Sequence, residues 1–301
     1  MTNKPSGKDW ALLILLSMIW GGSFMFNGIA VKELPALLIV FARLGLAALI
    51  LIPVHLILQG PLPRDGKTWF AAGGMALLNN VLPFIAIAWG QHYIGSGLAS
   101  VINATTPIFT ALLMALFALE ALTTRKILAL CLGFLGVIVL KGGGFADLSS
   151  QSLGIFAVMF ASFFYGLSAV WSKLKLVGIP PMTMATCQLT ISGLVMAALS
   201  FGFSDPMLYA KISLSTWVAL TSLAVLSSAI AYLIFFRIIA TAGASFVTLV
   251  TMLVPLSAIV MGIVVLHESL SLHELIGAAI IISALILIDG RLPAKLGLKL
   301  A

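Results

Sequence analysis

Long apolar stretches alternate with short polar connections along almost the whole chain, and glycine, proline and charged residues mark the boundaries between them. A transmembrane helix needs about 20 mostly apolar residues, with a usual range of about 17 to 25, and ten stretches meet this requirement. We therefore predict an all-α membrane protein with ten transmembrane helices. The predicted helices cover residues 10–31, 35–58, 68–91, 95–119, 124–140, 152–172, 181–203, 215–239, 243–266 and 272–288.

The chain contains an internal repeat with an offset of 148 residues. Each half holds five predicted helices, and because five is odd, the second half enters the membrane from the opposite side. Inverted repeats are typical of secondary transporters, whose substrate site lies near the midplane between the halves. We predict two inverted five-helix repeats, residues 1–146 and 147–301, around a central cavity. The matched residues are Thr68, Gly95, Pro107, Glu120 and Gly142 in the first half and Thr216, Gly243, Pro255, Glu268 and Gly290 in the second.

Composition agrees with a membrane protein. Hydrophobic residues make up 61% of the 301 residues and charged residues only 8%, with a mean hydropathy of +1.20, whereas a soluble domain is about one quarter charged. The formal net charge is +7, but the basic residues lie in short loops without the interleaved aromatic residues of a nucleic-acid-binding surface. We expect the lipid bilayer and a small-molecule substrate as partners, and no nucleic acid.

The basic residues predict the orientation in the membrane. When the loops are assigned alternately to two faces, twelve lysine and arginine residues fall on one face and three on the other. The positive-inside rule then places both termini in the cytoplasm. The first face receives Lys4, Lys8, Arg64, Lys67, Arg125, Lys126, Lys173, Lys175, Arg237, Arg291, Lys295 and Lys299, and the second receives Lys32, Lys141 and Lys211.

Polar side chains occur at the same depth in both halves. Asn79 and Asn80 lie near the middle of the third predicted helix, and their repeat partners are Ser227 and Ser228 in the eighth. An unpaired amide in hydrocarbon costs several kcal/mol, so these groups face other helices or a cavity. Hydrogen bonds between membrane helices, worth about 1 kcal/mol each, are one interpretation. We favour the other, a substrate-binding cavity at mid-depth.

The fourth and ninth predicted helices carry matched prolines. Pro107 and Pro255 each remove a backbone hydrogen bond and predict a kink, which suits either a gating element or closer packing. Ser245 and Thr248 share a helical face with Pro255. We count these two hydroxyls among the candidate substrate-binding residues.

Glycines predict breaks in two further helices. Gly21 and Gly22 follow Trp20 in the first, and Gly166 follows Tyr165 in the sixth. Such breaks expose backbone groups to a substrate. We therefore expect Trp20 and Tyr165 to contact the substrate, with packing as the alternative role.

Arg43 is the basic residue that lies well inside a predicted helix. With a small shift in the spacing of the repeat, its partner is the uncharged Gln188. An intramembrane charge is a functional candidate by default. Here we favour a structural role, in which Arg43 pairs with carbonyl groups at a helix end.

A set of motifs occurs in order along the chain, namely Trp20-Gly21 with Phe24, Phe41-Ala42-Arg43, Pro107 with Glu120, Pro255 with Glu268, Leu270, and Ile276-Gly277. Together these motifs resemble the EamA-type branch of the drug/metabolite transporter superfamily across nearly the whole chain. The resemblance implies ten helices and a transporter in the inner membrane of a bacterium, and the chain is similar overall to the YddG-like exporters of aromatic and other neutral amino acids. The first predicted helix lacks the buried glutamate of the small multidrug members.

The acidic residues restrict the substrate, because none of the nine lies in the middle of a predicted helix. A lipophilic cation in a site of low dielectric constant would need a counter-charge, and a phosphorylated sugar would need paired cationic residues. A zwitterionic amino acid needs neither. We expect facilitated export by alternating access, without ion coupling and without a cofactor; a drug or nucleotide-sugar transporter is the alternative.

A membrane-embedded enzyme is a more distant alternative. The four histidines lie towards helix ends, away from Ser23, and no G-x-S-x-G motif is present. A metal site at His267, Glu268, His273 and Glu274 is conceivable, but solvation at helix ends explains these residues better. We therefore predict no catalytic residue and no metal.

Overall fold

The computed structural model describes residues 5–142 and 150–289, and the regular structure in these two ranges is entirely helical. Ten helical segments, α1 to α10, follow the ten predicted stretches. The continuous ones are α1 (Gly7–Ala30), α2 (Ala36–Leu58), α5 (Thr124–Lys141), α6 (Ser150–Lys175), α7 (Pro181–Phe203) and α10 (Leu272–Asp289). The divided ones are α3 (Gly66–Met75, Ala76–Val81 and Leu82–Gly90), α4 (Ser96–Asn103 and Thr106–Leu116), α8 (Leu214–Ala224, Val225–Ile230 and Ala231–Ala242) and α9 (Ala244–Val247 and Val250–Leu266).

Eight of the ten segments are long and apolar enough to cross a membrane within the described part of the chain. Helix α9 falls short because a turn at Thr248 and Leu249 leaves a longer piece of 17 residues. Helix α5 has 18 residues and carries Arg125, Lys126 and Lys141 close to its ends. Its apolar part is therefore shorter than the other spans.

The glycines at positions 21, 22 and 166 do not break α1 or α6, so the prediction of breaks there is wrong. Both helices run without interruption through Gly21 and Gly166. A Cβ atom on Gly21 would lie 2.9 Å from the backbone nitrogen of Ala258 in α9, and one on Gly166 would lie 3.1 Å from the backbone nitrogen of Thr110 in α4. These glycines let neighbouring helices approach closely and leave the hydrogen bonds of their own helix intact.

The irregular backbone lies instead in α3 and α8. Each of these helices contains a six-residue π-helical segment, Ala76–Val81 in α3 and Val225–Ile230 in α8. The first segment carries Asn79 and Asn80, and the second carries Ser227 and Ser228. Short π-helical segments are rare and are frequent at functional sites.

The helix packing has matching features in the two halves. Helix α6 packs against α3 and α4, and α1 packs against α8 and α9. Helices α2 and α7 pack against each other. Helices α5 and α10, which are almost wholly aliphatic, pair mainly with each other and make few contacts with the remaining eight.

Contacts at the two ends of the bundle agree with ten membrane crossings. The Thr241 hydroxyl donates to Asp9 Oδ1 at 2.6 Å, and Lys173 Nζ lies 3.2 Å from Glu120 Oε1. Both contacts lie at the end of the bundle where α1 begins, which we call the N-terminal end. The Ser213 hydroxyl donates to Glu33 Oε1 at 2.6 Å at the opposite end. Each contact joins two residues, at a helix end or in a connection, that the alternating assignment places on the same face.

Candidate functional site

Asn80 joins α3 to α7 inside the bundle. Its side chain is fully buried, and its Nδ2 donates to the Ser192 hydroxyl at 3.0 Å. The Ser192 hydroxyl in turn donates to the backbone carbonyl of Gln188 at 2.6 Å. Asn80 therefore has the interhelical role that was the alternative in the sequence analysis.

Asn79 has a different environment from its neighbour. Its side chain is only partly buried, and its Oδ1 accepts a hydrogen bond from the Ser168 hydroxyl of α6 at 3.2 Å. The hydroxyl of Tyr232 in α8 also interacts with Asn79. Asn79 thus brings together polar groups from three helices while part of its surface stays accessible.

Arg43 and Ser228 connect α2 to α8. The Nε atom of Arg43 donates to the Ser228 hydroxyl at 3.2 Å, and its guanidinium carbon lies 3.8 Å from the ring centroid of Phe84. The expected pairing of Arg43 with carbonyls at a helix end is therefore wrong. The hydroxyl and the ring reach Arg43 from within the spans, so its charge lies among side chains at mid-depth.

Ser227 and Trp20 bring α8 against α1. The Ser227 hydroxyl donates to the backbone carbonyl of Ile19 at 3.2 Å. The ring of Trp20 packs against Phe235 of α8, with 5.7 Å between the centroids. The predicted residues Trp20, Ser227 and Ser228 are thus neighbours on one pair of packed helices.

Gln188 and Tyr232 were not predicted as site residues. Gln188 Nε2 donates to the Tyr232 hydroxyl at 3.1 Å, and Gln188 Oε1 is buried without a partner among the described residues. The pairing of Gln188 with Arg43 in the repeat was the signal that could have identified it. We call the following residues the central polar cluster: Arg43, Asn79, Asn80, Ser168, Gln188, Ser192, Ser228 and Tyr232.

Four residues in and beside the cluster keep part of their surface accessible, namely Trp20, Asn79, Tyr165 and Tyr232. Tyr165 and Tyr232 also interact electrostatically with Arg43. These aromatic and amide groups are therefore open to contact with a solute that enters the bundle.

The remaining predicted residues lie along α4 and α9. Thr248 is exposed in the turn between the two pieces of α9, and the side chain of Ser245 lies outside the described part of the chain. Pro107 is the second residue of Thr106–Leu116, directly after the turn that divides α4, whereas Pro255 lies inside Val250–Leu266. The backbone irregularity thus precedes the proline in both helices.

Glu268 forms a second polar site at the opposite end of the bundle. Its carboxylate accepts hydrogen bonds from Ser96 N at 2.7 Å, the Ser96 hydroxyl at 2.8 Å and Gly97 N at 3.0 Å. These amides begin α4, where the helix dipole favours a negative charge. Two cavities of about 240 and 350 Å³ lie beside this carboxylate. The sequence placed Glu268 at a helix end but did not identify these partners.

Comparison with known proteins identifies the family. The model of the EamA-like transporter family matches residues 9–141 and 152–289. An uncharacterized transporter of Bacillus subtilis, YvbV, is 28% identical over 98% of this chain and 96% of its own length. An uncharacterized inner membrane transporter of Escherichia coli, YedA, is 29% identical over 92% of this chain and 89% of its own length.

A crystal structure of 16% sequence identity has the same fold. It covers 96% of this chain and 98% of its own, with a TM-score of 0.65. The family model spans well over half of the chain, and the relatives above are transporters by name. The protein is therefore a multi-pass membrane transporter that belongs to the EamA-like transporter family of the drug/metabolite transporter superfamily.

Proposed function

We propose that this transporter exports neutral and aromatic amino acids or related small metabolites across the inner membrane of a bacterium. The observation that carries the proposal is the central polar cluster, in which side chains from both halves of the chain meet inside the bundle. Asn79 comes from α3, Ser168 from α6 and Ser228 from α8. A substrate bound there would contact both halves at once.

The chemistry of the cluster suits a small solute with a polar head and an apolar body. Amide and hydroxyl groups lie beside the rings of Phe84, Tyr165 and Tyr232. The described residues of the cluster include no carboxylate, which disfavours a lipophilic cation as the substrate. The cluster holds one cationic side chain, whereas the diphosphate of a nucleotide sugar calls for more than one.

We infer that the two halves are inverted repeats, residues 1–146 and 147–301, that rock around this cluster. The two π-helical segments fall at nearly equivalent positions of the repeat. The packing of α6 on α3 and α4 also corresponds to that of α1 on α8 and α9. Such symmetry supports alternating access, because each half can adopt the arrangement of the other.

The two repeat-related glutamates support the same mechanism. Glu268 holds the beginning of α4, whereas Glu120 binds Lys126 at 3.0 Å and Lys173 at 3.2 Å and has a side chain that is 44% exposed. The repeat partner of the Ser96 region is the beginning of α9. We infer that Glu120 binds there in the second state of the transporter, after Glu268 has released α4.

The orientation follows from the basic residues. The N-terminal end of the bundle receives most of the lysine and arginine residues of the connections, and we place this end in the cytoplasm. The state described here then has its outer end fastened by Glu268. Without a carboxylate in the described part of the cluster, the proposal requires no proton or sodium gradient.

Transport by the purified protein in liposomes tests the proposal. We expect Asn79→Leu and Ser228→Ala to lower the flux of aromatic amino acids at least about tenfold, because the first removes an accessible amide of the cluster and the second removes the hydroxyl that orients Arg43. Ser283→Ala is the matched control, since Ser283 is exposed and bonds only its own helix at Ala279. Wild-type flux in folded Asn79→Leu and Ser228→Ala variants would refute the site.

A second arm of the same experiment tests coupling. A pH gradient is imposed across the liposome membrane without a substrate gradient. We expect no net accumulation of the amino acid. Uphill accumulation would show that the transporter is proton-coupled and would contradict facilitated export.

A further inference from the structure

Arg43 is a buried cation without a counter-ion among the described residues. Only 7% of its surface is accessible, and the ion pairs in the described ranges involve Glu120 with Lys126 and Lys173, not Arg43. A charged side chain at mid-depth in a membrane is costly when it is unpaired. An unpaired arginine in such a place offers a binding group for an anion.

The guanidinium is held in a fixed plane with donors to spare. It carries five N–H groups, of which Nε donates to Ser228, while the ring of Phe84 covers one face. These two contacts orient the planar group and leave the N–H groups of the two terminal nitrogens without a partner among the described residues. Such a pair of parallel N–H groups fits the two oxygens of a carboxylate.

The terminal nitrogens keep some accessible surface. They have no hydrogen-bond partner among the described residues, and unlike Gln188 Oε1 they are not among the buried atoms that lack one. Tyr165 and Tyr232, which interact electrostatically with Arg43, are partly accessible as well. A solute that contacts these tyrosines therefore comes within reach of the guanidinium.

We propose that Arg43 binds the carboxylate of the transported solute through its terminal N–H groups. The substrate class is then monocarboxylates, both amino acids and simple organic acids, and this inference rests on the proposed function of the same site. A single guanidinium matches one carboxylate. Because the described cluster offers no carboxylate for an ammonium group, the ammonium of an amino acid is not required for binding.

A purely structural arginine would behave differently. In that role Arg43 would tie α2 to α8 through Ser228, and its removal would weaken the binding of every solute equally. A carboxylate receptor instead discriminates between a solute and its amide. The ratio of the two affinities therefore separates the roles.

Binding of three phenyl compounds to the full-length protein in detergent tests the inference, with the ligand-dependent rise in melting temperature as the readout. The probes are phenylalanine, phenylalaninamide and 3-phenylpropanoate, which differ in the carboxylate and the ammonium group. We expect the wild type to bind phenylalanine and 3-phenylpropanoate at least about tenfold more tightly than phenylalaninamide. Arg43→Gln should remove this preference and Arg43→Lys should retain part of it.

Arg237→Gln is the matched control, because Arg237 is exposed near the end of α8, and it should keep the preference. Equal binding of phenylalanine and its amide by the wild type would overturn the inference and leave the proposed transport of amino acids standing. Binding of neither compound would overturn both. The wild-type comparison can overturn the inference even if an Arg43 variant does not fold.

Discussion

The carboxylate of Glu268 accepts a hydrogen bond of 2.7 Å from the backbone nitrogen of Ser96, which lies 172 positions earlier in the chain. This bond fastens the connection between α9 and α10 to the beginning of α4, so that the second half of the chain holds the first. Its counterpart in the repeat, Glu120, binds lysines at the other end instead. The two glutamates are therefore held by different partners at the two ends of the bundle.

Glu268→Gln should release the opposite end of the bundle. A neutral amide loses the charge-assisted bonds to Ser96 and Gly97, each worth about 1.5–3 kcal/mol. The equilibrium between the fastened and the released form of this end should therefore shift at least about tenfold towards the released form. The measurement is the labelling rate of Ser100→Cys by a polar thiol reagent in a background without native cysteines. Ser100 is fully buried in α4, one turn beyond this contact.

Glu120→Gln is the matched control for this shift, since Glu120 is the repeat partner of Glu268. We expect it to leave the labelling of Ser100→Cys at or below the rate of the parent protein. A Glu268→Gln variant that labels no faster than its parent would contradict the fastening role.

Substitution of Asn79 and of Asn80 by alanine should have different effects on stability and on transport. Asn80 is fully buried and bonded to Ser192, so Asn80→Ala should lower the free energy of unfolding by about 1–2 kcal/mol. Asn79 keeps part of its surface accessible, and Asn79→Ala should mainly lower substrate flux. Unfolding in detergent and flux in liposomes measure the two effects, and the reverse assignment would contradict the geometry.

Gly21→Ala should destabilise the contact between α1 and α9. The added Cβ atom would lie 2.9 Å from the backbone nitrogen of Ala258, and such overpacking costs about 1–3 kcal/mol. Gly45→Ala in α2 is the matched control, because its Cβ atom would meet only the Phe41 ring, at 3.5 Å. Equal melting temperatures for the two variants would show that α1 and α9 do not pack as described.

The stabilisation from the contact between Glu33 and Ser213 should depend on pH. The hydrogen bonds from the Ser213 hydroxyl and backbone nitrogen lower the pKa of Glu33 below its ordinary value of about 4.3. The stabilisation that the ionised Glu33 contributes is therefore present above the pKa of Glu33 in the unfolded state. It is lost as the pH falls through the lowered pKa of Glu33 in the folded state. Wild type should melt above Glu33→Gln at pH 7, and the difference should shrink in acid. A difference that stays constant down to low pH would exclude this linkage.

The sequence predicted the ten helices because the length and polarity of each segment are local properties. It did not predict the continuity of α1 through Gly21, since that depends on how closely α9 approaches. A glycine in a membrane helix is compatible with a break or with tight packing, and only the neighbour at Ser257 and Ala258 distinguishes the two. The pattern of residues within one helix does not contain this information.

The sequence predicted only part of the candidate site, because contacts between distant helices are not visible in the pattern of one helix. The repeat placed Asn79, Asn80, Ser227 and Ser228 at one depth, but their partners come from distant helices. Arg43 finds Ser228, 185 positions away, and Asn80 finds Ser192, 112 positions away. Asn80 is buried and Asn79 is partly accessible because different helices contact the two residues, and no sequence pattern indicated these contacts.

The most direct test of the account is a counterflow measurement in liposomes. Vesicles loaded with unlabelled phenylalanine are diluted into a trace of labelled phenylalanine, so that only a carrier with one alternately exposed site accumulates the label against its own gradient. We expect transient accumulation by the wild type, reduced at least about tenfold in Asn79→Leu. Passive equilibration of the label without an overshoot would contradict a single central site that opens to one side at a time.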